Sequence, residues 1–207
     1  MPLTQEVNTN GFLPVTVTNT LVGQPIGMFW GYKTDGLFTS VDQFTGAPEQ
    51  FGQTFGSAPG QTYLGDVKYV DVNNDGAIDE RDKTVIGNPH PDFTFGFTNT
   101  FRYKNFDLSV FLQYQGGNQI YTNTRSFGEG MNGVFGQMAS TLNRWTPTNT
   151  NTEMPRAVYQ DPANNRRVSS RFIEDGDFLR IKNVSLGYNF GPKVLNTIKV
   201  SSLRLFV

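Results

Sequence analysis

The sequence predicts an all-β chain built from antiparallel strands. Its 207 residues include 18 Phe, 8 Tyr and 22 Gly, and only 17% of the residues are charged. Aromatic and β-branched residues favour strands, while recurrent Gly, Asn and Pro favour the turns between strands. Apolar residues mostly alternate with polar ones, which is the period of a strand with one apolar face.

Charge and cysteine content exclude several functions. The net charge is -1 at pH 7, and the chain contains no Cys. Without a basic excess, nucleic acid is not an expected partner, and without Cys there are no disulfides, zinc–cysteine sites or cysteine nucleophiles. The chain starts without a basic, apolar leader and stops inside the alternating stretch "VSSLRLFV". We therefore expect a fragment, with the signal and the final strands outside it.

The first part of the chain alternates short strands with loops. Residues 26–38, "IGMFWGYKTDGLF", predict an irregular strand interrupted by glycines. Residues 39–64 predict a loop, because Gly, Gln, Ser and Pro dominate them. Residues 65–71, "GDVKYVD", predict a short strand that leads into an acidic loop.

The clearest predicted element is a β-hairpin over residues 93–114. Large apolar residues occupy odd positions up to Tyr103 and even positions from Phe106 onward. A two-residue turn at Lys104–Asn105 explains this change, because the residues that flank such a turn are cross-strand partners on one face. One face is then apolar, with Phe111 as an exception on the polar face. The expected pairs are Tyr103 with Phe106, Phe101 with Leu108, Phe97 with Leu112 and Phe95 with Tyr114.

A long connection and a second long strand follow the hairpin. Residues 116–170 are mostly polar and predict an excursion with one short helix near Phe135–Trp145. Residues 171–190 predict a strand with an irregularity near Lys182–Asn183. The stretch "GPKVLNT" predicts a turn, and "IKVSSLRLFV" predicts the start of the next strand.

The stretch "DVNNDGAIDERD", residues 71–82 and hereafter the acidic loop, has oxygen donors at the spacing of a calcium-binding loop. Gly76 permits its sharp turn, and Ile78 is expected to anchor it on a core. We predict that Ca²⁺ binds here as a structural staple, and the other interpretation is an Asx-rich turn without metal. The predicted ligands are Asp71, Asn73, Asp75, Ala77 through its backbone carbonyl, Asp79 and Asp82.

The apolar face of the hairpin has two explanations. It packs against a second sheet, as in a soluble sandwich, or it faces lipid. Strand lengths, aromatic residues near the strand ends and the alternation of short turns with long loops favour a transmembrane barrel. The weak signal of each segment and the abundance of soluble β domains favour the sandwich. The residues alone leave both explanations open.

Five segments occur in a specific order along the chain. They are "VGQPIGMFWGYKTDGLF", "GDVKYVDVNNDGAIDERDKTVIGNPHPDFTFGF", "NFDLSVFLQYQGGNQIY", "RWTPTNTNTEMPR" and "SSRFIEDGDFLRIKNVSLGYNF". Together they resemble the C-terminal part of SusC/RagA-type TonB-linked outer-membrane receptors of Bacteroidota, and the resemblance covers nearly the whole chain.

The resemblance implies a fold and a function. It implies that residues 1–207 form part of a transmembrane β-barrel with long extracellular loops, in the bacterial outer membrane and in contact with its lipid. Nutrient uptake is the implied function, with a glycan or peptide substrate, a SusD-like surface lipoprotein as partner, and TonB acting through a missing N-terminal plug region. The alternative function is that of a soluble, extracellular, calcium-stapled β-module that binds carbohydrate.

The remaining candidate residues are given structural interpretations, and no enzyme is predicted. His90, the only histidine, is expected on a surface loop, and no G-x-S-x-G nucleophile motif is present. Acidic residues at 174, 175 and 177 are expected at a solvated strand end rather than as glycosidase carboxylates. The match of Arg144, Trp145 and Arg156 to a motif of the resembled family suggests loop structure. Aromatic residues able to stack on sugars, but expected to be structural, are Trp30, Tyr32, Phe135 and Trp145.

Overall fold

The computed structural model describes residues 3–9, 12–58, 60–132 and 136–207, with side chains from residue 17 onward. Backbone contacts divide the chain into two compact units. We call the first the loop unit, which comprises Met1–Pro89 and Gln119–Glu174. We call the second the sheet unit, which comprises His90–Asn118 and Asp175–Val207.

Strands dominate the described residues, as the composition predicts. In chain order the strands are β1 Leu3–Thr9, β2 Phe12–Thr20, β3 Met28–Gly31, β4 Thr34–Leu37, β5 Glu49–Gln50, β6 Val67–Tyr69, β7 Ala77–Ile78, β8 Thr84–Gly87, β9 Phe93–Tyr103, β10 Phe106–Gly116, β11 Gln119–Tyr121, β12 Ile173–Asp175, β13 Phe178–Asn189 and β14 Arg204–Phe206. The α-helices are α1 Asn123–Gly128 and α2 Pro192–Ile198, and short 3-10 helices cover Val41–Phe44, Glu80–Asp82, Ala139–Asn143 and Ser170–Phe172. No helix of the described residues is long and apolar enough to cross a membrane.

The loop unit contains one four-stranded sheet and several two-stranded ones. The larger sheet has the order β1-β2-β3-β8, and the smaller pairs are β4-β6, β5-β7 and β11-β12. The stretch predicted as one interrupted strand, residues 26–38, forms both β3 and β4, which lie in different sheets. The predicted loop over residues 39–64 contains a 3-10 helix and β5, which pairs in parallel with β7 of the acidic loop.

Half of the residues in the core cluster of the loop unit are aromatic. The ring centroids of Tyr32 and Phe51 lie 5.1 Å apart and those of Tyr32 and Tyr69 lie 5.7 Å apart, in edge-on geometry that suits aromatic pairs. Gly65 makes room for Trp145, since a Cβ on that glycine would meet the indole at 2.6 Å. The buried cluster consists of Tyr32, Leu37, Val67, Tyr69, Ile78 and Trp145.

The sheet unit confirms the predicted hairpin. Its four strands have the order β14-β13-β10-β9, and all three pairings are antiparallel. The turn lies at Lys104–Asn105, where Lys104 adopts φ 51°. The register agrees with each predicted pair, which are Tyr103 with Phe106, Phe101 with Leu108, Phe97 with Leu112 and Phe95 with Tyr114.

The irregularity predicted near Lys182–Asn183 is a β-bulge in β13. Asn183 pairs with Phe111 and Ile181 pairs with the next residue of β10, so Lys182 is the extra residue. The bulge brings apolar residues from both halves of β13 to the side already occupied by the apolar residues of the hairpin. We call this surface the apolar face; it comprises Phe93, Phe95, Phe97, Phe101, Tyr103, Phe106, Leu108, Val110, Leu112, Tyr114, Leu179, Ile181, Val184, Leu186, Tyr188 and Leu205.

Two sequence-based expectations about the last residues are wrong. The predicted turn at 191–197 is the seven-residue helix α2, which Pro192 starts because its fixed φ suits the first helical position. The following strand begins only at Arg204, because Lys199 ends α2 with φ 55° and a further irregular segment intervenes. The connection after β13 is therefore longer than a short turn. The alternation of short turns with long loops, one of the sequence features that favour a barrel, is not found at this connection.

The long excursion from residue 116 contains more structure than predicted. The sequence indicates one short helix near residues 135–145, and the structure has a 3-10 helix at Ala139–Asn143, while Phe135 lies outside the described residues. Helix α1 and strand β11 were not predicted, whereas β12 lies at the start of the strand predicted over residues 171–190. They are short, and their contacts with each other come from residues far apart in the sequence.

Candidate functional site

The acidic loop is anchored where the sequence predicts. Gly76 has φ 85°, a left-handed conformation that glycine adopts without strain, and Asn74 also lies in this region with φ 60°. Ile78 is 1% exposed and belongs to the core cluster of the loop unit. The end of the loop is also tied to the core, because the Tyr32 hydroxyl donates to the Glu80 carboxylate at 3.0 Å.

The predicted metal ligands accept hydrogen bonds from the loop itself. Both oxygens of Asp71 accept backbone N–H groups, from Asn74 at 2.6 Å and from Gly76 at 2.8 Å. Asn73 Oδ1 accepts from the Asp75 N–H, and Asp75 Oδ1 accepts from the Ala77 N–H. These are the Asx-turn contacts that hold such loops in shape with or without an ion.

Asp82 occupies the last predicted ligand position, and it is fully buried. Its Oδ1 accepts from the Val72 N–H at 2.9 Å, and its Oδ2 accepts from the Asp79 N–H at 2.8 Å. One carboxylate thus closes the loop by joining its beginning to its end. Calcium-sensor loops have a Glu at this last position. The shorter side chain of Asp82 fits the buried position inside the loop.

Arg81 is a cation within the acidic loop, and the spacing of the oxygen donors does not reveal its role. Its guanidinium pairs with Asp75 and with Asp79, each at 2.8 Å. The hydrogen bonds from Arg81 lower the pKa of Asp79. The hard oxygen donors suit Ca²⁺ by their chemistry. In the described part of the chain, however, no group of three or more acidic or histidine side chains converges on a metal position, so calcium binding stays a prediction.

A buried ion pair fastens a second loop to the start of β6. Arg156 donates from Nε and Nη2 to the two oxygens of Asp66, both at 2.7 Å, and Asp66 is fully buried. Asn165 donates to Asp66 at 3.0 Å and accepts from the Val67 N–H at 2.8 Å. Arg156 therefore has the structural role that its motif suggests. The sequence alone did not identify Asp66 as its partner.

Asp161 shares this buried environment. Burial raises the pKa of Asp161, while the N–H groups of Asn165 and Arg166 act in the opposite direction. Its Oδ1 accepts from the Asn165 N–H at 2.9 Å. This carboxylate holds the turn that presents Asn165 to Asp66.

The other candidate residues have structural surroundings. Tyr32 and Trp145 are core residues, only 2% and 8% exposed, and Trp30 is partly buried in β3. His90 is exposed, as expected for a surface loop. Glu174 pairs with Arg125 at 2.7 Å, and Asp177 accepts from the Gly117 N–H at 2.8 Å. Each of these two acidic side chains has a partner that explains it without catalysis.

The apolar face of the sheet unit is exposed along β9 and most of β13. The exposed fraction there ranges from 43% at Phe97 to 70% at Tyr103 and Leu179. Strands β9 and β10 have 11 residues each and β13 has 12, lengths able to cross a bilayer at a tilt. The opposite face carries polar groups, among them an ion pair between Asp107 and Arg204. The sheet thus has one apolar face and one mainly polar face.

The sheet, its register and the loops around it correspond to a known class of proteins. The chain is homologous to a part of SusC/RagA-type TonB-dependent receptors, a family of transport receptors and not of enzymes. No protein-family model matches the chain. Among curated relatives, it is 35% identical to TonB-dependent receptor P3 of Formosa agariphila over 185 residues. It is 30% identical to TonB-dependent receptor SusC of Bacteroides thetaiotaomicron over 124 residues.

The homology concerns a small part of each relative. The matched region covers 89% of this chain but 17% of receptor P3, and 59% of this chain but 12% of SusC. Among solved structures, the RagAB peptide transporter matches with a TM-score of 0.64 and 22% identity, over 94% of this chain and 19% of that chain. The RagAB peptide importer in its open-open state matches with a TM-score of 0.66 and 21% identity, over 97% and 20%.

Proposed function

We propose that this chain forms part of a receptor that imports a glycan or peptide nutrient across the bacterial outer membrane. Strands of the sheet unit contribute to the receptor's transmembrane barrel, and the loop unit contributes extracellular loops. In this proposal the chain belongs to the C-terminal part of the barrel, a SusD-like surface lipoprotein is the partner of the receptor, and TonB acts through a region that precedes this one.

The apolar face is the observation that carries the proposal. It continues across β9, β10 and β13 without a charged residue, and most of its side chains on β9 and β13 are exposed. Transfer of apolar area from water is favourable by about 25 cal/mol per Å², so a face of this kind calls for lipid or protein against it. A soluble sandwich would cover the face with a second sheet, whereas lipid contact requires only the strand lengths and alternation found here.

Calcium is part of the proposal as a structural ion. The oxygens of the acidic loop would hold it, and Arg81 would give up its contacts with Asp75 and Asp79 when the ion binds. Extracellular calcium modules bind at about 10⁻⁴–10⁻³ M, so a weak site of this kind would be filled outside the cell. The ion would stiffen the loop and would have no part in transport chemistry.

Gene deletion tests the import function directly. Uptake of fluorescent oligosaccharides and of fluorescent peptides is compared among the wild type, a deletion strain and the deletion strain complemented with the complete gene. We expect the deletion to abolish uptake of one substrate class and complementation to restore it. Membrane fractionation should place the complete gene product in the outer membrane. A product in the soluble extracellular fraction would contradict the proposal.

A further inference from the structure

Helix α2, in the connection from β13 to β14, has one apolar and one polar side. Val194 and Ile198 are four residues apart, which places them on the same side of the helix, and they are 43% and 48% exposed. Leu195 lies next to them and is partly buried. Lys193 and Thr197 lie on the other side of the helix. The apolar side of α2 is thus incompletely covered within the sheet unit.

Helix α2 lies at the same end of the sheet as the hairpin turn Lys104–Asn105. Asn189, the last residue of β13, donates its N–H to the Asn105 carbonyl at 2.8 Å. Gly191, directly before α2, is also close, since a Cβ on it would lie 3.7 Å from Asn105 Nδ2. At the opposite end of the sheet, residues 117–177 connect β10 to β13. Outer-membrane barrels have short turns on the periplasmic side and long loops outside, so α2 belongs to the periplasmic end.

An aromatic band marks this end of the apolar face. The ring centroids of Phe106 and Tyr188 lie 4.8 Å apart, and those of Tyr188 and Phe190 lie 4.9 Å apart. Such bands occur where the hydrocarbon core of a membrane meets the headgroups. Only Gly191 separates Phe190 from α2. The helix therefore follows the apolar face at the level expected for the headgroups.

The charges beside α2 are all positive. Residues 190–203 contain Lys193 and Lys199 but no Asp or Glu. Lys104 is next to them in the hairpin turn, with its ammonium 5.3 Å from the centroid of the Tyr103 ring. All three lysines are exposed, and none forms an ion pair within the part of the chain that the structure describes. Unpaired ammonium groups beside an apolar helix side suit the phosphates of anionic lipids.

We propose that α2 lies among the headgroups of the periplasmic leaflet, where Lys104, Lys193 and Lys199 bind anionic phospholipid and the apolar side of the helix contacts lipid. Apolar contact and electrostatic attraction act together in such interfacial helices. The surface holds the periplasmic end of the sheet at a fixed depth in the membrane. The proposal rests on the import receptor proposed above, because it requires a barrel whose apolar face contacts lipid.

Fluorescence quenching tests the position of α2. The complete gene product, in a cysteine-free background, is reconstituted in vesicles of phosphatidylcholine and phosphatidylglycerol with one fluorophore on an introduced cysteine. Brominated acyl chains should quench the label in Ile198→Cys, on the apolar side, and should hardly affect Asn196→Cys, on the polar side. Val110→Cys, near the middle of the apolar face, is the reference for the barrel and should be quenched.

Two results at position 198 overturn the inference. Quenching by iodide in the water, as strong as at position 196, would place α2 outside the membrane. Protection from both iodide and brominated lipid would show that protein covers the helix. With either result, lipid quenching at position 110 would leave the barrel intact, so that only the inference fails. If position 110 is not quenched by lipid, the proposed barrel fails and the inference fails with it.

Lipid selectivity tests the role of the charges. The preference of the reconstituted receptor for spin-labelled phosphatidylglycerol over phosphatidylcholine is measured by electron paramagnetic resonance. Lys193→Gln and Lys199→Gln should each lower this preference about two- to fivefold, and added salt should lower it in the wild type. The matched control is Lys33→Gln, at an exposed position of the loop unit, which should leave the preference unchanged. No preference in the wild type, or an equal loss in the control, would overturn the inference.

Discussion

Ile181 and Val184 lie on the same face of the sheet although they are three positions apart in one strand. Ile181 pairs with Leu112 and Val184 pairs with Val110, and those two partners are neighbours on the apolar face. A regular strand would place residues with this spacing on opposite faces. The extra residue Lys182 corrects the parity, so a single bulge makes the apolar face continuous across β13.

The bulge predicts a difference between deletion and substitution at one position. Deleting Lys182 should turn the side chains in one half of β13 to the opposite face of the sheet. Either Ile181 or Val184 would then lie on the polar face. Lys182→Ala keeps the number of residues and should be tolerated. The measurement is the folded fraction in the outer membrane, from heat-modifiable migration of the complete gene product. Normal assembly of the deletion variant would show that the bulge is dispensable.

The register of the hairpin predicts opposite responses at neighbouring residues. Val110→Arg places a charge on the apolar face near mid-strand and should destabilise the receptor by about 2–4 kcal/mol, the cost of Arg near the bilayer midplane. Ser109→Arg places the same charge on the polar face and should have little effect. Denaturant titration in lipid vesicles measures both. Spin labels offer a second measurement, and a label at 109 that is more lipid-accessible than one at 110 would contradict the register.

The buried pair of Asp66 and Arg156 predicts a large local effect. Arg156→Ala leaves a buried carboxylate without its partner, and breaking such a pair costs about 3–5 kcal/mol. Hydrogen exchange should therefore accelerate in residues 62–67 and 156–165. Replacing both charges, as in Asp66→Asn with Arg156→Met, should restore part of the protection. The control is Arg144→Ala, at an exposed position of the same motif; an equal effect there would exclude a specific role for the ion pair.

Calcium binding to the acidic loop is predicted to compete with Arg81. Calorimetry on the complete gene product should detect Ca²⁺ uptake in the millimolar range, and Asp71→Ala or Asp75→Ala should abolish it. Arg81→Gln removes the internal cation and should tighten binding. Mg²⁺ should bind more weakly, because it demands octahedral geometry. If the wild type takes up no Ca²⁺ at several millimolar, the acidic loop is an Asx-rich turn only.

The raised pKa of Asp161 predicts a pH effect of definite sign. Because burial raises its pKa in the folded chain above the ordinary 3.8, the folded state binds this proton more tightly than the unfolded state. The contribution of Asp161 to stability therefore falls as pH rises from 3.8 through the raised pKa. Asp161→Asn should flatten this dependence, measured as hydrogen-exchange protection of residues 161–167 and corrected for intrinsic rates. Unchanged profiles would contradict a raised pKa.

Local patterns in the sequence determined the hairpin, its turn and its register. Apolar residues alternate along eleven positions on each side of a two-residue turn. Only one register then places these apolar residues on a single face, so the sequence is sufficient to pair Phe101 with Leu108. The position of the bulge near Lys182 followed from the same parity argument. The anchoring of Ile78 also followed, because the turn at Gly76 and the strand before the acidic loop are local features.

Tertiary structure decided the features that depend on residues distant in the sequence. Asp66 and Arg156 are 90 positions apart, and nothing in either segment specifies the other. The same holds for Arg171, which donates a hydrogen bond to Glu129 across 42 positions. Helix α2 and the role of Arg81 were missed for another reason, since a seven-residue segment and a single exposed Arg carry little pattern. The periodicity of the sequence indicates which side of a strand is apolar. The partner of a buried charge, in contrast, depends on which distant segments the fold brings together.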